Sequence, residues 1–238
     1  AKMIVSGIRT MIQKSCVVLV CVLVLAGSVW GKDIYIIHGY KSDSKYGWFN
    51  SVAENLKKQG HKVVVLNLPN ADKPTLKEWL EAMQKDITHI DSDTYFITHS
   101  LGGVATLHFL SSTFATHKIH KDSRSTKGKG TATNQHFQVG GVVLVAPFDE
   151  ELKVLPIFGS FTDKKPNYQL LQSIIKDRIV ISAKNDTLVP TRLSQKLAKS
   201  LNAEFIQTPT GGHFMESEGY TDLPLIIEVF QNLDRIPQ

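Results

Sequence analysis

The ten residues Thr94-Tyr95-Phe96-Ile97-Thr98-His99-Ser100-Leu101-Gly102-Gly103 constrain this chain more than any other stretch. A short apolar run breaks at Thr98, and two glycines follow Ser100 and Leu101. Val104-Ala105-Thr106-Leu107-His108-Phe109-Leu110 then reads as apolar at helical spacing. Strand, tight turn and helix in that order are the context of a nucleophile elbow, in which a strained turn exposes a serine hydroxyl above a parallel sheet. Backbones crowd there, so small residues are needed two positions before and after the serine. Gly102 meets the second requirement. Thr98 stands where the usual pattern has glycine and is read as a tolerated variant. A serine between turn residues is more often only a turn, so the rest of the chain must supply its partners.

The surrounding pattern is an alternation of strands and helices. Asp33-Ile34-Tyr35-Ile36-Ile37 is a buried strand ending at His38-Gly39-Tyr40. Trp48, Phe49, Val52 and Leu56 mark a helix face, with Gly60 as its stop. Val63–Leu66 is a strand, and Pro74 opens a helix striped by Leu76, Trp79, Leu80, Met83 and Ile87. Past Ser100 the strands are Val139–Ala146, Arg178–Ser182 and Glu204–Ile206. Leu193, Leu197 and Leu201 mark one later helix, and Leu223 to Leu233 another. Residues 148–176 lack a clear period and are expected to form a small cap. The expected fold class is α/β: a compact, mostly parallel, doubly wound sheet with helices on both faces.

Charge and cysteine usage divide the chain in two. Residues 1–31 carry Lys2, Arg9 and Lys14 and no acid, so the net charge of +5 falls to +2 over the remainder. That balance excludes a nucleic-acid-binding composition. Lys14 precedes an uncharged run from Cys16 to Gly27, short for a membrane span of about 20 residues and suited to a signal-peptide core. The reading is therefore a targeting segment at 1–31, a single domain at 32–238, and export to the periplasm or medium. Without that signal function the chain would be cytoplasmic. Both cysteines, Cys16 and Cys21, lie in the segment, so the domain has no disulfide, thiol nucleophile or thiolate metal site.

Residues 117–136 interrupt the pattern. They hold five basic residues and one acid, for a local charge of +4. Such a stretch buries too little apolar surface to order itself and reads as a surface loop. Its sharper reading is a weak contact with an acidic surface. His117, His120 and His136 share that stretch with a single carboxylate, Asp122, and no thiolate, so no metal and no cofactor is expected.

A serine hydroxyl needs a base, and the base needs an acceptor that fixes its tautomer. Ser100, Asp186 and His213 occur in the order serine, acid, histidine, each just after an expected strand. Gly211 and Gly212 let the backbone bring His213 close. The tetrahedral oxyanion needs two N–H donors, assigned to Leu101, next after the serine, and Tyr40, after the first strand. His38 and His99 are read as structural and His108 as packing. Trp48 is placed near the mouth as a substrate-binding residue, with a buried core position as the alternative.

His38-Gly39-Tyr40 with Trp48, Leu76-Trp79-Leu80, His99-Ser100-Leu101-Gly102, Asp186–Pro190 and Gly211–Tyr220 together resemble an α/β-hydrolase. Within that superfamily they resemble the YdeN-like serine hydrolases, the group that includes the retinoblastoma-binding serine hydrolase. The likeness spans roughly residues 33–232, and the segment from Gly211 is its most specific part. It implies a metal-independent serine hydrolase with a minimal cap, cleaving small-molecule esters or amides through an acyl-enzyme. Thr98 and the length of the 117–136 insertion depart from the pattern. A non-catalytic binding protein on the same scaffold is the other function class kept open.

Overall fold

The computed structural model of the chain describes residues 31–122, 138–153 and 155–235, with 116–122 and 234–235 by backbone alone. The expected targeting segment lies outside them apart from Gly31, as does the basic insertion from residue 123 onward. Six strands are present: β1 (Asp33–Ile37), β2 (Lys62–Val65), β3 (Thr94–His99), β4 (Val139–Val145), β5 (Ile175–Ala183) and β6 (Glu204–Thr208). They form one sheet in the order β2-β1-β3-β4-β5-β6, and every neighbouring pair is parallel. The helices are α1 (Phe49–Lys58), α2 (Leu76–Asp86), α3 (Leu101–Asp122), α4 (Gly159–Thr162), α5 (Tyr168–Ile174), α6 (Thr191–Leu201) and α7 (Pro224–Arg235).

Every residue of β3 and β4 is buried, as expected of strands covered on both faces. The two-residue period of the strand then decides which core each side chain joins. Tyr95, Ile97, Val143 and Val145 pack with α1 and α7. Phe96, Val142, Leu144 and Val180 pack with α2, α3, α5 and α6. Each such aliphatic or aromatic side chain contributes about 1.5–3 kcal/mol by leaving water, and this burial is what clamps helices to both faces.

Several boundaries move from their expected places. α3 continues to Asp122, so residues 117–122 extend the helix instead of opening the loop. A helix already nucleated gains a backbone bond per added residue and needs no further apolar stripe. β5 starts at Ile175, three residues before its expected start. Pro74 precedes the cap of α2. Thr75 is the N-cap, accepting from the Glu78 N–H at 3.3 Å while its hydroxyl donates to the Glu78 carboxylate at 2.7 Å.

The site is positioned by topology. β1 lies between β2 and β3, so the chain winds outward from β1 first one way and then the other. The C-terminal ends of β1 and β3 therefore flank a crevice at the switch point, where open α/β sheets bind ligands. The cap joins β4 to β5 and comprises a 3-10 turn at Pro156–Phe158, α4 and α5. Phe148, Phe158 and Phe161 bury it. Asp149 ties it down, accepting from the Tyr168 hydroxyl at 2.7 Å and pairing with the Lys165 ammonium at 3.0 Å.

Candidate active site

Ser100 is the single residue between β3 and α3, and its φ of +53° is left-handed, a conformation that costs a residue with a Cβ of order 1 kcal/mol or more. The turn is held by the Ser100 N–H donating to Val145 O at 2.8 Å and by Gly103 N–H donating to Ser100 O at 2.9 Å. Gly102 is required by close approach, because a Cβ there would stand 2.5 Å from His38 O and 2.7 Å from Ile37 O. Thr98 is fully buried, and its hydroxyl fits because Gly103 has no side chain. A Cβ on Gly103 would lie 3.3 Å from Thr98 Oγ1. The second glycine thus eases the fit of the larger residue at 98, and a Cβ on that glycine would press more closely still on Pro147 Cβ, at 3.0 Å.

The structure brings Ser100, Asp186 and His213 together. His213 Nε2 lies 2.8 Å from Ser100 Oγ, and His213 Nδ1 lies 2.8 Å from Asp186 Oδ2. A carboxylate only accepts, so Nδ1–H donates to Asp186 and the neutral ring leaves Nε2 to accept from the serine hydroxyl. Asp186 Oδ1 is itself held by the N–H groups of Leu188 at 2.9 Å and Val189 at 2.8 Å. All three side chains are buried.

The backbone N–H groups of Leu101 and Tyr40 have no hydrogen-bond partner among the described residues. Leu101 is the first residue of α3, where helix N–H groups are unsatisfied and the helix dipole favours negative charge. Tyr40 lies in the loop after β1, three residues past the strand's end. His38 holds that loop as expected: Leu68 N–H donates to its Nε2 at 2.8 Å, so its Nδ1–H donates to Gly39 O at 2.8 Å. Burial pushes its pKa down, which keeps the ring neutral. His108 bonds Phe161 O at 3.0 Å and ties α3 to the cap.

Trp48 does not line the pocket. It is 1 % exposed, and its indole N–H donates to Phe214 O at 3.2 Å. Its ring stands edge-on to Phe49 and His99, at 4.5 and 5.9 Å between centroids. A buried indole must satisfy its one donor, and the carbonyl next to His213 does so. Trp48 is therefore a core residue behind the site, the alternative already weighed for it.

Two contacts went unread in the sequence. His99 Nε2–H donates to the backbone carbonyl of His213 at 2.7 Å. Burial, and secondarily the repulsion a protonated His213 would exert, push the His99 pKa down to about 3, so it stays neutral beside the relay. Glu218 Oε2 accepts from the N–H groups of His213 at 2.9 Å and Met215 at 3.0 Å. Its carboxylate fills the space a side chain at Gly212 would take, and Gly212 has a φ of +56°. The run Gly211–Tyr220 contained this clasp, but no local period marks a carboxylate that folds back on its own loop.

A pocket of about 250 Å³ opens onto Ser100 and His213. Leu152, Leu155 and Phe158 of the cap, with Tyr40, Val189 and Met215, give it apolar walls, and Lys41 and Ser42 are polar lining residues. A larger hollow of about 550 Å³ lies between α2 and α3 by Ile90. Its lining includes His89, which faces the Asp91 carboxylate at 2.9 Å, and neither the serine nor its relay is near it. Among the described residues no three His, Cys, Asp or Glu side chains converge on a possible metal position.

A wholly parallel, doubly wound sheet with a serine on a left-handed turn at its switch point is the α/β-hydrolase architecture. The family model for serine hydrolases matches residues 34–121 and 129–232. YdeN of Bacillus subtilis (strain 168) is 33% identical over 198 residues, covering 83% of this chain and 94% of that protein. The crystal structure of the ydeN gene product from B. subtilis superposes with a TM-score of 0.72 at 31% identity, over 84% of this chain and 97% of that one. Est1E from Butyrivibrio proteoclasticus, solved with ferulic acid, shares the fold at a TM-score of 0.56 and 14% identity, over 85% and 90% of the two chains. The chain belongs to the serine hydrolase family and is a YdeN-like α/β-hydrolase.

Proposed function

We propose that this hydrolase cleaves small carboxylic esters or amides through an acyl-enzyme formed on Ser100. The observation that carries the reading is the unbroken relay from Asp186 through His213 to Ser100, with 2.8 Å at each link. Ser100 Oγ attacks the substrate carbonyl carbon while His213 Nε2 takes its proton. Asp186 keeps the ring in the required tautomer and stabilises the imidazolium that forms. The N–H groups of Tyr40 and Leu101 receive the oxyanion. His213 then protonates the leaving alcohol or amine, and the acyl-enzyme forms. Water, deprotonated by the same nitrogen, releases the acid and restores Ser100. The pocket of about 250 Å³ favours a short acyl chain over a long one, since ligand sites commonly exceed roughly 300 Å³.

The test is labelling of the full chain with a fluorophosphonate probe beside Ser100→Ala. The expected outcome is one label per chain, absent in the variant. A folded chain that takes no label would refute the assignment. 4-Nitrophenyl esters of two to ten acyl carbons then size the pocket.

A further inference from the structure

Lys41 is the only charged side chain among the described residues lining the catalytic pocket; the two histidines there are accounted for by the relay and by the bond to the His213 carbonyl. No carboxylate among the described residues pairs with its ammonium, which instead lies 5.3 Å from the centre of the Tyr40 ring. Tyr40 in turn stands edge-on to Phe158 at 5.0 Å, so the cation rests on a wall of the pocket. The acid nearest in sequence, Asp43, is exposed, and its carboxylate accepts the Lys45 N–H at 2.7 Å.

The backbone adds a second observation. Lys41 has a φ of +51°, a left-handed conformation unfavourable for a lysine, held by its N–H donating to Ala71 O at 2.8 Å. Beside it the Ser42 hydroxyl oxygen is buried and has no hydrogen-bond partner among the described residues. An unsatisfied buried hydroxyl is costly to leave unpaired, and a ligand oxygen reached by rotation about one bond would satisfy it. An exposed cation without a carboxylate partner, an unpaired hydroxyl and a left-handed residue thus adjoin in the lining of the pocket that holds Ser100.

We infer that Lys41, with Ser42, is a specificity determinant that selects ester substrates carrying a free carboxylate a few atoms from the scissile carbonyl. The inference rests on the hydrolase reading above. A carboxylate entering between the apolar walls is partly desolvated, and the charge-assisted bond to Lys41 offsets that cost. A neutral substrate of equal size gains nothing from the lysine.

The experiment uses the full chain and compares 4-nitrophenyl hydrogen succinate with 4-nitrophenyl butanoate, then 4-butanoyloxybenzoate to place the anion on the leaving group. The readout is the ratio of kcat/KM for an anionic ester to that for the neutral one. Lys41→Met is expected to lower one anionic ratio about tenfold, Lys41→Arg to retain it, and Lys41→Glu to lower it further. Which anionic ester responds tells the acyl side from the leaving side. A ratio within twofold of the parent in Lys41→Met, for both anionic esters, overturns the inference while leaving the hydrolase reading intact. If the chain takes the fluorophosphonate label but turns over none of these esters, labelling is repeated with monomethyl succinate or methyl butanoate as competitor. Selective protection by the succinate, lost in Lys41→Met, supports the inference, and equal protection or none refutes it. Failure to label at all refutes the hydrolase reading and this inference with it.

Discussion

At the scale of single residues, the relay is held by bonds to backbone as much as by its own members. His213 is gripped from two sides: His99 donates to its carbonyl, and Glu218 accepts from its N–H. Glu218→Ala strands the His213 and Met215 N–H groups, an expected stability loss of about 1–3 kcal/mol in urea titration. It also lets the histidine wander, with an expected fall in kcat of about a hundredfold and a smaller change in KM. Glu218→Gln keeps an acceptor oxygen and is expected to recover most of kcat, a rescue that mere loss of bulk would not give. Ser100, Asp186 and His213 were legible in the sequence because each pairs a chemical type with a place after a strand. Glu218 was not, since its role follows from a loop doubling back upon itself. Trp48 misled because an aromatic beside a site is equally at home in the core behind it.

At the scale of elements, strands and helices were readable where apolar period carried them. The ends were not, because boundaries answer to caps and backbone bonds. Thr75 with Glu78 starts α2 regardless of where Pro74 stands, and α3 runs on past its last apolar residue. The cap was visible only as a region without period, since the side chains that anchor it, Phe148, Phe158 and Phe161, are spaced by short turns. Its contribution to the pocket is open to test. Leu155 is half-buried and lines the cavity without belonging to the innermost core. Leu155→Ala should widen that wall and raise kcat/KM for the octanoate relative to the butanoate ester by about tenfold. A methylene in an apolar pocket is worth about 1–3 kcal/mol. An unchanged chain-length profile would place the acyl group elsewhere.

At the scale of the whole molecule, the order of strands follows from pairing that no local pattern encodes: β1 and β3 are neighbours, although β2 comes between them in the chain. The buried His38 and His99 and the half-buried His108 contribute to how the protein responds to acid. His99 is held down to about 3, and His38 and His108 are also lowered, in each case chiefly by burial. Above the unfolded value near 6.5 neither state binds these protons, and their contribution to stability is complete. Below it the unfolded chain takes them up first, so stability falls as pH drops from about 6.5 toward 3, by up to about 1.4 kcal/mol per unit for His99 alone. Thermal melts across that interval should show the decline, and His99→Gln should flatten it. A melting temperature constant from pH 7 to 4 would contradict the assignment of neutral rings to these histidines. One feature also orders events in time. His213 lies 113 residues after Ser100, and its loop is fastened back to the first helix region, where Gly47 N–H meets the Glu216 carboxylate at 3.1 Å. A ribosome adding 5–20 residues per second needs roughly 6–23 s to cross that gap. Throughout the interval Ser100 exists without His213 beside it, so the growing chain has no complete relay and acquires one only once the Gly211–Tyr220 loop has closed on the region before α1.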